Sequence, residues 1–135
     1  MKRKTRKHRS DSKKLQTKLW ELCKQITRKK YGNECYTCGK KGLESLNWHT
    51  GHFIPKGSCG GFLKYDLRNL RPQCYNCNIN LGGNGALFSR NMIIREGQEY
   101  VDKIFEDRNK ELPGKQSYEY YQMLFEKYKL ISEEL

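Results

Sequence analysis

Residues 47–84, "NWHTGHFIPKGSCGGFLKYDLRNLRPQCYNCNINLGGN", concentrate side chains that bind metals and move protons. The stretch contains two of the chain's three histidines and three of its six cysteines. It lies in a chain of 135 residues with a net charge of +12, and 31% of the residues are charged. A core built from the remaining residues is thin, and small domains of this kind are often held together by a metal. We therefore expect this stretch to decide the fold and to hold the functional site.

The positive charge is concentrated in the first two-thirds of the chain. Residues 1–11 carry a net charge of +5, residues 12–95 carry +11, and residues 96–135 carry −4. This distribution predicts a polyanionic partner, most simply nucleic acid, for the first two-thirds. No apolar run approaches the ~20 residues of a membrane-spanning helix, and no secretory signal is visible. We expect a cytoplasmic protein with no membrane partner, whose cysteines are metal ligands or free thiols.

Three parts are predicted along the chain. Residues 1–11 are expected to be a basic disordered arm, because they show no apolar periodicity. Residues 12–95 form the core, and residues 96–135 form a helical extension whose aromatic residues have helical spacing.

Within the core, the sequence predicts a first helix over residues 12–31, with Ser12 as its N-cap. Its apolar face is formed by four residues: Leu15, Leu19, Leu22 and Ile26. Residues 43–66 are typical of irregular hairpins, and residues 86–94 fit a short helix and a strand equally well.

Two Cys-x2-Cys pairs indicate a metal centre. Cys35 and Cys38 form one pair, and Cys74 and Cys77 form the other. Four thiolates in two such pairs complete a tetrahedral zinc site, although an iron–sulfur centre uses the same ligands and free thiols are the remaining alternative. A plain zinc ribbon has about 15–20 residues between its pairs, whereas here the interval is longer, so residues 39–73 contain an insertion. Cys59, inside that insertion, is expected to be a loop thiol.

The insertion carries histidine and asparagine side chains suited to phosphodiester hydrolysis. This reaction needs a base that activates water and a hard cation that neutralises charge on the phosphate. A histidine such as His52 suits the base, because the ordinary imidazole pKa of about 6.5 leaves it mostly neutral at pH 7. The side chains of Asn69 and Asn78 are suited to orienting an imidazole or to ligating a cation through oxygen.

These residues resemble a known family. The order Cys-x2-Cys, Gly-His-Phe, Asn, Cys-x2-Cys-Asn is similar to that of the HNH, or ββα-metal, endonucleases with a zinc-stapled core. The details resemble the phage lambda NinG (Rap) recombination endonucleases in four segments: "HTGHF" at 49–53, "LKYDLRN" at 63–69, "QCYNCN" at 73–78 and "LGGN" at 81–84. The resemblance implies an α+β fold with a small zinc-stapled ββα-metal core, flanked by N-terminal and C-terminal helices.

The resemblance also implies roles for individual residues. His52 is the expected general base, Asn69 is expected to order the site and orient His52, and Asn78 is the expected ligand of a catalytic Mg²⁺ or Mn²⁺. Four cysteines are expected to hold one structural Zn²⁺: Cys35, Cys38, Cys74 and Cys77.

One position departs from the family pattern. Many HNH enzymes have an aspartate directly before the histidine as a second metal ligand, and here that position is Gly51. His49 is the expected replacement, with Asp66 and Asn84 as alternatives.

Basic residues in or near the insertion are candidates for contacts with DNA phosphates. They are Lys40, Lys41, Lys56, Lys64, Arg68, Arg71 and Arg90.

The expected function is metal-dependent cleavage of branched recombination intermediates, such as Holliday junctions or D-loops, by a phage-encoded endonuclease. Symmetric resolution of a junction needs two active sites, so a homodimer joined through the C-terminal helices is expected. Two alternatives share most of these features. One is a general HNH nuclease that nicks duplex DNA, and the other is a zinc-dependent nucleic-acid-binding module without catalysis.

Overall fold

The computed structural model describes residues 10–112 and 117–135 in full, and only the helical backbone of residues 2–9 and 114–116. This part of the chain contains five α-helices and two β-strands, and the last three helices follow one another directly. In chain order they are α1 (Lys2–Tyr31), β1 (His49–His52), α2 (Gly60–Leu63), β2 (Leu70–Gln73), α3 (Gly85–Glu96), α4 (Gln98–Asp107) and α5 (Gly114–Glu134). A π-helical turn, Asn76–Asn80, follows β2. The fold is therefore mixed α+β, as the sequence predicted.

Helix α1 buries the face that its leucine spacing predicted. Leu19 and Ile26 are buried, and Cys23, which lies between them, is fully buried as well. Gly32 ends the helix with a positive φ of 73° and donates its N–H to the carbonyl of Arg28 at 2.8 Å. Ser12 is not the N-cap, because the helix already includes residues 10 and 11; its Oγ accepts a hydrogen bond from Gln16 instead. The rest of the predicted arm lies outside the fully described residues.

Strands β1 and β2 form a two-stranded antiparallel sheet, in which Thr50 lies opposite Pro72 and Gly51 opposite Arg71. Proline is tolerated because each strand has a free edge. A Cβ at Gly51 would overlap the side chain of Gln73, so a larger residue here requires the buried Gln73 side chain to move. The present position of Gln73 therefore leaves no room for an acid at position 51.

Two clusters of buried apolar side chains lie around this sheet. The first contains Tyr36, Phe53 and Phe88, and α3 and α4 complete it. The second joins α1 to α5 through Leu19, Tyr65, Tyr121, Leu124, Tyr128 and their neighbours. Helix α5 is fixed further by Tyr128, whose hydroxyl donates to the carbonyl of Tyr65 at 2.8 Å. The predicted C-terminal helices are thus integral to the core.

The structure decides three local expectations. Residues 43–66 contain only one strand, and its partner β2 follows α2, so the expectation of a local hairpin in this segment is wrong. Residues 86–94, which fitted helix and strand equally, are helical within α3. Cys59 lies in the loop before α2, as expected, and its side chain is fully buried in the first apolar cluster.

Candidate metal centre and adjoining polar cavity

The four cysteines of the two pairs converge on one point. The Sγ atoms of Cys35, Cys38, Cys74 and Cys77 all lie within 4.8 Å of one another, so the cluster could hold a zinc ion. In each pair a backbone N–H points at the first sulfur: Cys38 N lies 3.5 Å from Cys35 Sγ, and Cys77 N lies 3.4 Å from Cys74 Sγ. These N–H groups stabilise thiolate charge, as metal ligation requires.

The thiols of the cluster differ in acidity. Burial alone would raise the pKa of Cys35, but the hydrogen bonds from three backbone N–H groups lower it to about 7. Burial raises the pKa of Cys77 to about 12, and the Nδ2 of Asn84, 3.6 Å from its sulfur, works in the opposite direction. The Nδ2 of Asn84 therefore supports the cysteine cluster, and its role as an alternative ligand of a second cation stays a prediction.

His52 lies at the end of β1, and within the described part of the chain one of its ring nitrogens has a hydrogen-bond partner and the other has none. Its Nε2 lies 2.9 Å from the carbonyl oxygen of Lys64. A carbonyl oxygen only accepts, so Nε2 carries the hydrogen and Nδ1 keeps its lone pair in the neutral ring. Burial lowers the pKa of His52, and the positive charges of Lys56 and Lys64 lower it further against the opposing hydrogen bond. The imidazole is thus held neutral, with Nδ1 available as a base.

Trp20 of α1 covers the ring of His52. The two ring centroids are 5.3 Å apart and the planes are inclined by only 7°. The hydrogen bond to the carbonyl of Lys64 and this stacking contact together fix both the position and the plane of the imidazole.

A polar cavity of about 520 Å³ opens beside His52. Thr50, His52 and Asn78 line it from the core, and Lys56 and Lys64 line it from the insertion. Helix α1 forms the opposite wall with Lys13, Gln16, Thr17 and Trp20. Among the described lining residues there are three lysines and no aspartate or glutamate, so the cavity favours an anionic ligand.

Asn69 acts at a distance from the imidazole. It is fully buried, and its Oδ1 accepts the N–H of Ile54 at 2.7 Å. Its Nδ2 donates to the carbonyls of Ile54 at 3.1 Å and Leu63 at 3.4 Å. Asn69 therefore ties the end of β1 to the residue before Lys64, whose carbonyl holds His52. Any orienting effect of Asn69 on His52 would therefore act through the backbone, because the hydrogen bonds found for Asn69 among the described residues go to Ile54 and Leu63.

Asn78 is paired with His49 at the edge of the cavity. Asn78 lies in the π-helical turn directly after Cys77, and its Nδ2 is 3.1 Å from Nδ1 of His49. The Nε2 of His49 is 2.8 Å from the carbonyl oxygen of Leu46. Both ring nitrogens therefore have hydrogen-bond partners, and the role of His49 as the replacement metal ligand stays a prediction.

The oxygen atoms in the cavity fit a cation that takes most of its ligands from water and from substrate phosphates. The Oδ1 of Asn78 makes no hydrogen bond within the described residues, and the Oγ1 of Thr50 is buried without a partner there. Such oxygens suit Mg²⁺ or Mn²⁺, and Mg²⁺ commonly keeps waters and binds substrate phosphates. Asp66 is not available, because it accepts hydrogen bonds from the N–H and the guanidinium of Arg68.

The predicted DNA-binding residues occupy different environments. Lys40, Lys41, Lys56 and Arg90 are exposed, and Lys56 and the half-buried Lys64 line the cavity. Arg68 is ion-paired with Asp66 at 2.6 Å and Asp107 at 2.8 Å, which partly neutralises it.

Arg71 is incompatible with the predicted phosphate contact. Its side chain is fully buried, and its guanidinium lies 4.5 Å from the ring centre of Tyr31 and 5.2 Å from that of Tyr36. The hydroxyl of Tyr100, 3.0 Å away, and Glu96, 3.4 Å away, complete the enclosure. Arg71 is therefore a structural cation, and the prediction that it binds DNA is wrong.

The family can be stated from comparison with known proteins. The family model described as "Bacteriophage Lambda NinG protein" matches residues 1–135. The chain belongs to the NinG family. Protein ninG of Escherichia phage 933W is 36% identical over 76 residues, which are 56% of this chain and 36% of that protein. The ninG proteins of Escherichia phage lambda and Salmonella phage P22 are 34% and 33% identical over alignments of the same coverage.

The alignments with these ninG proteins span little more than a third of the relatives' own length. No solved structure matches the chain. None of the helices in the described part of the chain combines the length and apolar character that crossing a bilayer requires.

Sequence reasoning missed the α1 side of the cavity. The sequence alone does not connect the four lining residues of α1 with the site: Lys13, Gln16, Thr17 and Trp20. No local signal identifies them, because only the packing of α1 against the core brings them to His52. Thr50 was also missed, although alternation along β1 places it on the same face as His52.

Proposed function

We propose that this chain is an HNH-type, metal-dependent DNA endonuclease with a structural zinc at the four cysteines. The observation that carries the proposal is the state of His52, a neutral imidazole beside a lysine-lined cavity and Asn78, whose Nδ1 has no hydrogen-bond partner among the described residues. The four-cysteine cluster adjoins this site, because Asn78 directly follows Cys77 in the π-helical turn.

The proposed mechanism starts with water beside His52. The Nδ1 lone pair takes a proton from water, and the resulting hydroxide attacks phosphorus while the bond to the leaving oxygen breaks. The leaving oxygen keeps the electron pair of that bond and takes up a proton from solvent. Nε2 keeps its hydrogen throughout, because the carbonyl of Lys64 remains its acceptor. Stacking on Trp20 holds the ring in one plane, so that Nδ1 keeps one direction during the transfer.

Asn78 would hold the catalytic Mg²⁺ or Mn²⁺ through Oδ1, with Thr50 beside it. When bound, such a cation supplies positive charge at the phosphate and the leaving oxygen. The chain's own lysines bind the DNA backbone: Lys56 and Lys64 from the core side, and Lys13 from α1. The scissile strand then passes between α1 and the sheet.

Branched recombination intermediates are the proposed substrate, and a homodimer is the proposed assembly. The substrate is supported by the family membership and the resemblance described above. The dimer is supported by the need for two active sites and by exposed apolar side chains on α5, where Met123 is 55% and Leu130 64% exposed. A solution mass equal to one chain at assay concentration would contradict the dimer.

The test is cleavage of a labelled four-way junction beside a linear duplex of the same sequence. Zinc is kept stoichiometric, its content is measured, and Mg²⁺ or Mn²⁺ is added or omitted, so that loss of activity reports the catalytic cation alone. The wild type should cut the junction only with the added cation, and His52→Ala should bind the junction equally well without cutting it. Equal cutting of both substrates would indicate a general nicking nuclease. Tight binding without cleavage in any metal would refute catalysis and leave a binding module.

A further inference from the structure

The His49–Asn78 pair contains a constraint that fixes the direction of the Asn78 amide. The carbonyl oxygen of Leu46 lies 2.8 Å from Nε2 of His49 and can only accept a hydrogen bond. Nε2 must therefore carry the hydrogen, and in the neutral ring Nδ1 presents a lone pair. The group of Asn78 that lies 3.1 Å from Nδ1 must then be a donor, which is the NH₂ group. This conclusion follows from donor and acceptor chemistry, and it does not depend on which amide atom was assigned as nitrogen.

We propose that His49 is a positioning residue that turns the carbonyl oxygen of Asn78 away from itself and into the cavity, where it binds a divalent cation. The cation part of this inference rests on the proposed nuclease function. The part that concerns the amide direction rests on the hydrogen bonds alone.

The carbonyl that sets this direction is itself held in place. Leu46 lies in the 3₁₀ turn Ser45–Asn47, and the Oδ1 of Asn47 accepts the N–H of Tyr75 at 2.8 Å. The edge of the Tyr75 ring also packs against His49, with the ring centres 5.6 Å apart. The turn is thus tied to the residues just before the π-helical turn that carries Asn78. The 3₁₀ turn, the imidazole of His49 and the amide of Asn78 thus form one chain of hydrogen bonds, which we call the relay.

The relay matters because the cavity offers the cation few other protein ligands. Gly51 has no side chain, and none of the described residues lining the cavity is acidic. With the amide oxygen as the main protein ligand, an amide that rotates freely presents NH₂ to the cation for part of the time. A neutral hydrogen bond of ordinary strength resists this rotation, so its loss should raise the cation concentration for half-saturation roughly threefold to tenfold.

The first test reads the relay without any cleavage. Long-range ¹H–¹⁵N correlation spectra, recorded well above the ordinary histidine pKa of about 6.5, should show His49 as the Nε2–H tautomer with an unprotonated Nδ1. The side-chain amide signals of Asn78 should shift in His49→Ala and stay in place in the control Arg90→Ala. The Nδ1–H tautomer, or unshifted Asn78 signals, would overturn the relay.

The second test measures the cation on uncut DNA. In a His52→Ala background, which leaves the DNA intact, Mn²⁺ binding to the protein–junction complex is followed by electron paramagnetic resonance. Adding His49→Ala should weaken Mn²⁺ binding threefold to tenfold, and His49→Asn should restore most of it, because its Oδ1 can accept from Asn78. Unchanged affinity in His49→Ala overturns the cation role. Absence of Mn²⁺ binding in the parent complex, with the expected tautomer present, overturns the proposed function and leaves the amide direction standing.

Discussion

Trp20 offers a direct test of how the structure prepares His52, because its indole covers one face of the imidazole. The perturbation is Trp20→Ala, which exposes that face to water, with Trp20→Phe as the matched control that keeps an aromatic ring. Burial is the largest cause of the lowered pKa of His52, ahead of the charges of Lys56 and Lys64. Exposure should therefore raise the pKa of His52 toward its ordinary value of 6.5 in Trp20→Ala.

The magnitude follows from the strength of an aromatic stacking contact, about 0.5–1.5 kcal/mol beyond the buried area. If this contact holds Nδ1 in its productive direction, its loss slows cleavage roughly twofold to tenfold even where His52 is fully neutral. Trp20→Phe should lose less than Trp20→Ala, because a phenyl ring still covers part of the imidazole.

The sign of the pH effect is fixed by the direction of the pKa change. A histidine with a lowered pKa contributes stability and remains a competent base above its ordinary pKa, and both are lost as the pH falls through the lowered value. In Trp20→Ala the acid limb of the cleavage profile should move to higher pH.

Two measurements check this prediction. The ring ¹³C–¹H signal of His52 gives its pKa directly by nuclear magnetic resonance titration, with or without catalysis, and the pH profile of junction cleavage gives the acid limb. Identical His52 pKa values in the wild type and Trp20→Ala would refute the reasoning that the indole keeps water from the ring.

Three further predictions concern the scaffold and the DNA. Cys77→Ser should lose the metal and the cooperative thermal transition, because a structural zinc contributes about 10–16 kcal/mol to a fold whose net stability is of order 5–15 kcal/mol; a metal-free variant with an unchanged melting curve would contradict this. Asn69→Ala should lower the free energy of unfolding, measured by urea titration, by about 2–5 kcal/mol, because it leaves buried backbone groups of Ile54 unpaired. A loss below about 1 kcal/mol would contradict the role of Asn69 in holding this backbone. Lys56→Gln should reduce the slope of log affinity for DNA against log salt concentration by about one. Arg71→Gln should instead lower the melting temperature and leave that slope unchanged, and a reduced slope in this variant would contradict the burial of Arg71.

The parts of the fold that depend on local pattern were predictable. The leucine spacing of α1 and the spacing within the two cysteine pairs are local patterns that predict a buried helix face and a metal centre. The structure confirms the buried face and the convergence of the four sulfurs. Residues 86–94 stayed ambiguous because apolar residues there satisfy both periodicities, and only the burial of Phe88 and Met92 in the first apolar cluster decides for a helix.

The parts that depend on contacts distant in sequence were not predictable. Arg71 looked like any other basic residue near the site, and only the convergence of Tyr31, Tyr36 and Tyr100 from separate helices and loops buries it. His49 looked like a free ligand, because nothing in "HTGH" shows that the Leu46 carbonyl and Asn78 occupy both of its nitrogens.

The packing of α1 against α5 sets an order of events during synthesis. Helix α5 begins at Gly114, 37 residues after Cys77, the last of the four cysteines, and a ribosome adds that interval in roughly 2–7 s at ordinary rates of translation. Until α5 emerges, α1 lacks the partner that buries Leu19 and Cys23, and Tyr65 lacks the hydroxyl of Tyr128 on its carbonyl. A nascent chain can thus gather its four cysteines early, but the α1 wall that carries Trp20 is fixed in place only when α5 has been made. The maturation of the cavity is therefore timed by the synthesis of α5, after the residues that line the cavity have been made.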